Sequence, residues 1–281
     1  MVKYLNSNSL SFVMFKQSLL KDRKEFYENE FNIKKVASWL KLLPYKPQLY
    51  VIDPGSETKI IKNKSKLKKL IFFKPYLTLK ELREKLIKYL PEDVYYDRNI
   101  YKNPYKCLKN FNFKNAPSSH NFLGQELAFD IDPENIICPD CGKKTFPKYC
   151  KTCIKLSLEY GLKLYKELKN YFKNIKLVYS GRGCHVHILD KKAYKLNINE
   201  RNNLNKKFLE YKIDPWVSHG RIRLIRLPYS LNALNSRIVT PLKIKEIANF
   251  NVDNKNYLPK FLHHSSSTSS SSSFSRYSFF S

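Results

Sequence analysis

The sequence predicts a mixed α/β fold, with antiparallel and mixed sheets flanked by helices and a small metal-binding excursion projecting from the core. Three stretches carry that expectation. Residues 126–132, ELAFDID, form an apolar run with β-forming residues that ends on two carboxylates. Residues 154–172, IKLSLEYGLKLYKELKNYF, place Ile154, Leu158, Leu162, Tyr165, Leu168 and Phe172 at steps of three and four, the period of an amphipathic helix. Residues 175–190, IKLVYSGRGCHVHILD, read as strand, tight glycine turn and strand.

The other elements follow in order. In KEFYENEFNIKKVASWLKLL, residues 24–43, helical spacing makes Phe26, Ile33, Val36, Leu40 and Leu43 one core-facing stripe. QLYVI and KLIFF fit strands, with a turn at Asp53-Pro54-Gly55-Ser56. Thr78 suits the cap of a helix running to Leu90, with Glu81 at capping-box spacing. Residues 95–125 read as a long aromatic and basic connection. A polar helix, NERNNLNKKFLEYK, precedes DPWVSHGRIRLIRLPYSLN, where Arg221 and Arg223 alternate with apolar residues and Arg226 follows, as in a half-buried strand with one basic face. The expected organisation is one domain over 1–264, with a cysteine loop at 137–154 inserted after the acidic strand. The serine-rich tail, 265–281, has the composition of a disordered segment.

Bulk properties narrow the function. A chain of 281 residues can bury a sizeable core. No apolar run approaches the roughly 20 residues needed to span a bilayer, so a membrane role is not expected. The N-terminus has no small-residue cleavage site, which places the chain in the cytoplasm or nucleoid. A formal net charge of +28, interleaved with 20 tyrosines and 18 phenylalanines, points to a polyanionic partner and to stacking on unpaired bases. AT-rich coding sequence would also enrich lysine and tyrosine.

Four of the six cysteines cluster as Cys138-x2-Cys141-x8-Cys150-x2-Cys153, while Cys107 and Cys184 stand alone. Each C-x-x-C turns two thiolates toward one ion, and two such knuckles complete the tetrahedron that Zn2+ prefers. With every position filled by protein, the site is structural. Asp130 and Asp132, two apart on a strand, project from one face. Such a pair either ligates a divalent cation or ends a strand in solvent. In Tyr179-Ser180-Gly181-Arg182-Gly183-Cys184-His185, the glycines let backbone amides approach an anion, Ser180 offers a hydroxyl and Arg182 a planar fork. The alternative is a plain hairpin turn. His185 and His187 share a face of the strand that follows.

These elements, in this order, resemble the small, catalytic subunit of archaeal and eukaryotic DNA primases. The resemblance runs from about Asp93 to Asn232 and rests on ELAFDID, the four cysteines, VYSGRGCHVHI and DPWVSHGRIRLIRLPYSLN. It implies that Asp130, Asp132 and Asp214 hold Mg2+ or Mn2+, and that Ser180, Arg182, His185 and Arg226 contact the nucleoside triphosphate. It also implies a structural Zn2+ on Cys138, Cys141, Cys150 and Cys153. The expected chemistry is two-metal nucleotidyl transfer, making short RNA or DNA primers from NTPs or dNTPs on a single-stranded DNA template. A large subunit with an iron–sulfur cluster is the expected partner. Asn232 stands where archaeal relatives often have histidine, and only 26 residues separate His187 from Asp214, where the family commonly carries a longer insertion. A gap-filling repair polymerase, which needs a pre-existing 3′ end, and a zinc-containing nucleic-acid-binding protein without catalysis are the competing readings.

Overall fold

The computed structural model describes residues 16–55, 70–106, 120–143, 149–220 and 222–263. The tail expected to be disordered, Cys107 and Arg221 lie outside them. The N-terminal helix is broken in three: α1 (Leu20–Glu25), a π-helical turn (Phe26–Glu30) and α2 (Ile33–Leu40). Asn32 causes the second break. Its side chain accepts the amides of Lys34 and Lys35 and so starts a new helix. Phe26, Val36, Leu40 and Leu43 are buried as expected, and Ile33 is partly buried against them.

One four-stranded sheet has the order β2 (Ile71–Phe72), β1 (Tyr50–Asp53), β3 (Asp93–Asp97), β9 (Leu224–Arg226). Helix α3 (Leu79–Tyr89) starts on the predicted capping box: Thr78 Oγ1 accepts the Glu81 amide at 3.2 Å, and the Thr78 amide returns a bond to Glu81 Oε2 at 2.8 Å. The connection expected over 95–125 is in part strand. It contains the end of β3, β4 (Asn99–Tyr101) and β5 (Phe122–Gln125), the last two paired with a bulge. Their polar residues satisfy one another in place of an apolar pattern, as where Gln125 Nε2 donates to Asn99 Oδ1.

The second sheet has the order β12 (Thr240–Leu242), β7 (Ile175–Tyr179), β8 (Cys184–Ile188), β6 (Leu127–Ile131). Every strand pairing among the described residues is antiparallel, so the expected parallel component is absent from them. Alternation divides this sheet cleanly. Leu127, Phe129, Ile131, Cys184, Val186 and Ile188 face one core, packed by α4 (Lys151–Leu168) through Ile154, Leu158, Leu164 and Leu168. Burying each of these side chains is worth about 1.5–3 kcal/mol. Ala128 and Val178 face the other core, against the N-terminal helices and the first sheet. Asp130, His185 and His187 share that second face, so the sheet delivers its polar side chains into the space between the two sheets.

The polar helix is α6 (Ile198–Phe208), following the short α5 (Lys191–Tyr194) and running on as a 3-10 turn, Leu209–Tyr211. Short α7 (Pro215–Ser218), the pair β10 (Leu231–Asn232) and β11 (Arg237–Ile238), and α8 (Ile244–Ile247) complete the order. No helix among the described residues is long and apolar enough to cross a membrane.

Candidate active site and metal centre

The acidic end of β6 is built by three segments distant in sequence. Asp130 pairs with His185 across the ladder, and its Oδ1 lies 3.6 Å from His185 Nε2. Asp132 follows the strand, and the Arg182 guanidinium forks onto it, Nε to Oδ1 at 3.1 Å and Nη2 to Oδ2 at 2.7 Å. Asp214 arrives from the other side. Its amide donates to the Asp130 carbonyl at 2.7 Å, while its side chain caps α7 through the Trp216 amide. The three predicted carboxylates therefore converge.

Their environment is costly for negative charge. Burial first, and then the Asp132 charge, push the Asp130 carboxyl well above the usual carboxylate range, with Asp214 adding to the effect. Asp214 is raised as well, by partial burial and by Asp132. Asp130 Oδ1 is buried with no hydrogen-bond partner. A buried carboxylate oxygen without a donor is unfavourable by about 1–3 kcal/mol or more, and a divalent cation is the ligand that offsets it. The three aspartates thus fit a metal site by chemistry, although their oxygens do not close to within 4.8 Å as a set.

The glycine turn is shaped to this acidic end. A Cβ on Gly183 would sit 2.5 Å from the Ile131 carbonyl and 2.9 Å from Asp132 Oδ1, so only glycine allows the turn to pack there. Ser180 Oγ accepts the Gly183 amide at 3.0 Å. Asn232 Nδ2 holds the Ser180 carbonyl at 3.1 Å, and Asn235 Nδ2 holds that of Gly181 at 2.9 Å. Asn232, which departs from the family pattern, is therefore a buttress of the turn. Burial, His187 and the nearby guanidiniums hold His185 well below the ordinary histidine pKa, so its ring is neutral at pH 7. His187 lies behind it in the core, bonded to Glu126 at 2.7 Å and edge-on to Trp39.

Arg226 comes from the first sheet. Asp93 holds it in a fork, Nε to Oδ1 at 3.0 Å and Nη2 to Oδ2 at 3.1 Å, with the Tyr95 ring 5.7 Å from the guanidinium carbon. Its charge acts on Asp130 and Arg182, which places it within electrostatic reach of the site. Of the expected basic face, Arg221 lies outside the described residues. Arg223 precedes the strand and is buried against Asp97 at 3.1 Å, while Arg226 is held by Asp93.

Sequence reasoning missed several supports. Asp93 fixes Arg226. Two buried arginines join the β5–β6 junction to α7: Arg98 donates to the Glu126 and Val217 carbonyls at 2.8 and 2.7 Å, and Arg201 to those of Gln125 and Ser218 at 2.6 and 3.5 Å. No local pattern marks these residues. Each has partners well separated from it along the chain.

The cysteine centre forms as predicted. The four sulfurs lie within 4.8 Å of one another, with Cys141–Cys153 at 3.2 Å and Cys138–Cys150 at 3.5 Å. Zinc–sulfur bonds of about 2.3 Å in a tetrahedron put sulfurs roughly 3.8 Å apart, so the donor set fits such an ion. Cys138 and Gly142 exchange backbone bonds to close the first knuckle, and Cys150 precedes the first turn of α4.

No protein-family model matches the chain. It is 39% identical over 269 residues to an uncharacterized DNA primase small subunit-like protein of Archaeoglobus fulgidus, a match covering 92% of this chain and 96% of that one. Against the DNA primase small subunit of Pyrococcus abyssi it is 23% identical over 257 residues, covering 85% of this chain but 66% of the relative. Among solved structures, the polymerase domain of Mycobacterium tuberculosis ligase D in complex with DNA aligns at a TM-score of 0.48 and 12% identity, covering 83% of this chain and 85% of that one.

Proposed function

The chain belongs to the DNA primase small-subunit family, and on that footing we propose that it is the catalytic subunit of a DNA primase, a nucleotidyltransferase making short primers on single-stranded DNA. One observation carries the reading: Asp130, Asp132 and Asp214 converge beneath a glycine turn bearing Ser180 and Arg182, with a buried carboxylate oxygen left without a donor.

Asp130, Asp132 and Asp214 would hold Mg2+ or Mn2+, and Cys138, Cys141, Cys150 and Cys153 a structural Zn2+. Divalent ions held by these aspartates would supply the activation of a 3′-hydroxyl and the neutralisation of the pyrophosphate leaving group. The protein's own groups do the positioning. Arg182 already presents its fork at the site, and an arriving triphosphate competes with Asp132 for it. Ser180 accepts the Gly183 amide, which leaves its hydroxyl proton to donate to a phosphate oxygen. Neutral His185 binds as a hydrogen-bonding group and not as a cation. Arg226 supplies fixed positive charge, held rigid by Asp93, at no reorganisation cost during the reaction. The zinc knuckle anchors the start of α4 and so the far wall of the sheet. A large subunit carrying an iron–sulfur cluster, and a nucleoid location, belong to the same proposal.

The test is synthesis on unprimed single-stranded DNA with labelled NTPs or dNTPs and Mg2+ or Mn2+, wild type beside Asp130→Ala/Asp132→Ala. Short products from the wild type alone are expected. Extension of an added primer without initiation would indicate a gap-filling polymerase. No synthesis in either format, with or without a large subunit, would leave a zinc-bearing binding protein.

A further inference from the structure

The catalytic end accounts for one pole of the second sheet. The opposite pole holds a cleft of about 590 Å3 that no part of the proposed reaction uses. It lies where β7 begins and β8 ends. Leu127, at the start of β6, pairs with Ile188, and Ile188 pairs with Ile175. Five residues of strand separate Leu127 from Asp132, roughly 15 Å at the rise of a β-strand. We propose that this cleft, between the end of α4 and α6, is a second binding site for a single nucleic-acid strand.

Its chemistry is that of an unpaired nucleotide. Phe172, Leu196 and Leu204 give an apolar floor, and Asn170 and Asn203 line it with amides. Tyr171 is 38% exposed at the cleft, with Lys207 over its ring and donating to its hydroxyl. Two lysines frame it. Lys207 Nζ lies 4.6 Å from the Tyr171 centroid, and Lys192 Nζ lies 5.2 Å from that of Phe172 while donating to the Tyr171 carbonyl at 2.6 Å. Exposed Lys169, Lys173 and Lys191 extend the positive rim. The acids nearby have local duties: Asp190 accepts the Lys173 and Asn174 amides, Glu200 closes the capping box of α6, and Glu167 makes a surface pair with Lys207 at 3.7 Å that an arriving phosphate would compete for. Aromatic faces beside lysines are how single strands are held without sequence preference, stacking on the ring and pairing phosphate with ammonium. A protein partner would have less use for so dense a cationic rim. The role is retention: a strand seated here stays with the protein when it leaves the catalytic end. The inference rests on the chain acting on nucleic acid, but its test does not depend on synthesis.

That test is fluorescence anisotropy with labelled oligo(dT) over a range of salt, using the full chain. Lys192→Glu/Lys207→Glu is compared with Lys41→Glu/Lys88→Glu, which changes the net charge equally at positions elsewhere on the surface. The cleft variant is expected to bind about tenfold more weakly, with its salt slope reduced by about 1.4 for two lost phosphate contacts. Tyr171→Ala should weaken binding about fivefold or more, from one lost stacked base, with the slope unchanged. Equal losses in the cleft and control variants would overturn the proposal, since net charge alone would explain them. So would unchanged binding in the cleft variant, or no binding by the wild type. Failure of Asp130→Ala to affect synthesis, with the cleft effects intact, would instead count against the primase reading alone.

Discussion

Cys138 follows Asp130 by eight residues, yet the two centres they begin are assembled in opposite ways. The cysteine centre draws its donors from one short loop and the helix start after it, 138 to 153, and its sulfurs gather to within 4.8 Å. The aspartate centre draws on residues 130, 132 and 214, with Arg182, His185 and Arg226 from further elements, and one of its carboxylates, Asp132, is taken up by the Arg182 fork. A site made by local chain geometry depends on the ion that closes it. A site made by the fold depends on packing and on buried ion pairs around it. Sequence spacing reports the first kind directly. The second kind becomes visible only as motif order.

The comparison breaks most visibly at the cysteines. Cys150→Ser should lose the bound zinc and lower the melting temperature by about 10 °C or more, because ion binding is folding energy for such a loop. Zinc content by atomic absorption and a thermal melt check this; a melt unchanged after zinc loss would show that the loop holds itself. Asp93→Asn probes the fold-built site. Breaking a buried pair leaves the Arg226 charge uncompensated, and a loss of about 3 kcal/mol is expected in urea titration, with zinc content preserved. Arg182→Lys keeps the charge but not the fork. It should raise the KM for nucleoside triphosphate about tenfold in steady-state synthesis, with little change in stability.

The smallest effect has the opposite sign. Asp130→Asn should stabilise the protein, measured without added divalent ions, by about 1 kcal/mol. A carboxyl raised by burial contributes its stability below the usual carboxylate range and loses it as pH climbs through the raised value. The advantage of the amide over the carboxyl at this position should therefore grow from acid toward neutral pH. Equal melting of the two proteins at pH 7 would mean that Asp130 carries no burial penalty.

What could be read from the chain follows the same division. The strand 127–131, the glycine turn and α4 have strong periodicity and lie where expected. The clustering of the four cysteines was readable from spacing alone. The second break in the N-terminal helix depended on one asparagine side chain competing for backbone amides, which periodicity does not register. Strands β4 and β5 escaped because polar cross-strand bonds, not apolar alternation, hold them. Arg223 looked like its neighbour Arg226, but each is held by a buried acid of its own, Asp97 for the first and Asp93 for the second. Those acids precede them by well over a hundred residues, beyond any local pattern.

One backbone bond has a wider consequence. The Asp214 amide is tied to the Asp130 carbonyl, and β8 is tied to β6, so both ends of the stretch from 188 to 213 are anchored independently of its length. Chain can be inserted at the exposed turns of that stretch, clear of buried Arg201 and Phe208, at an entropic cost of loop closure that grows slowly with length. The junction is thus a natural splice point: the protein's periphery can be lengthened there while the carboxylates keep their places.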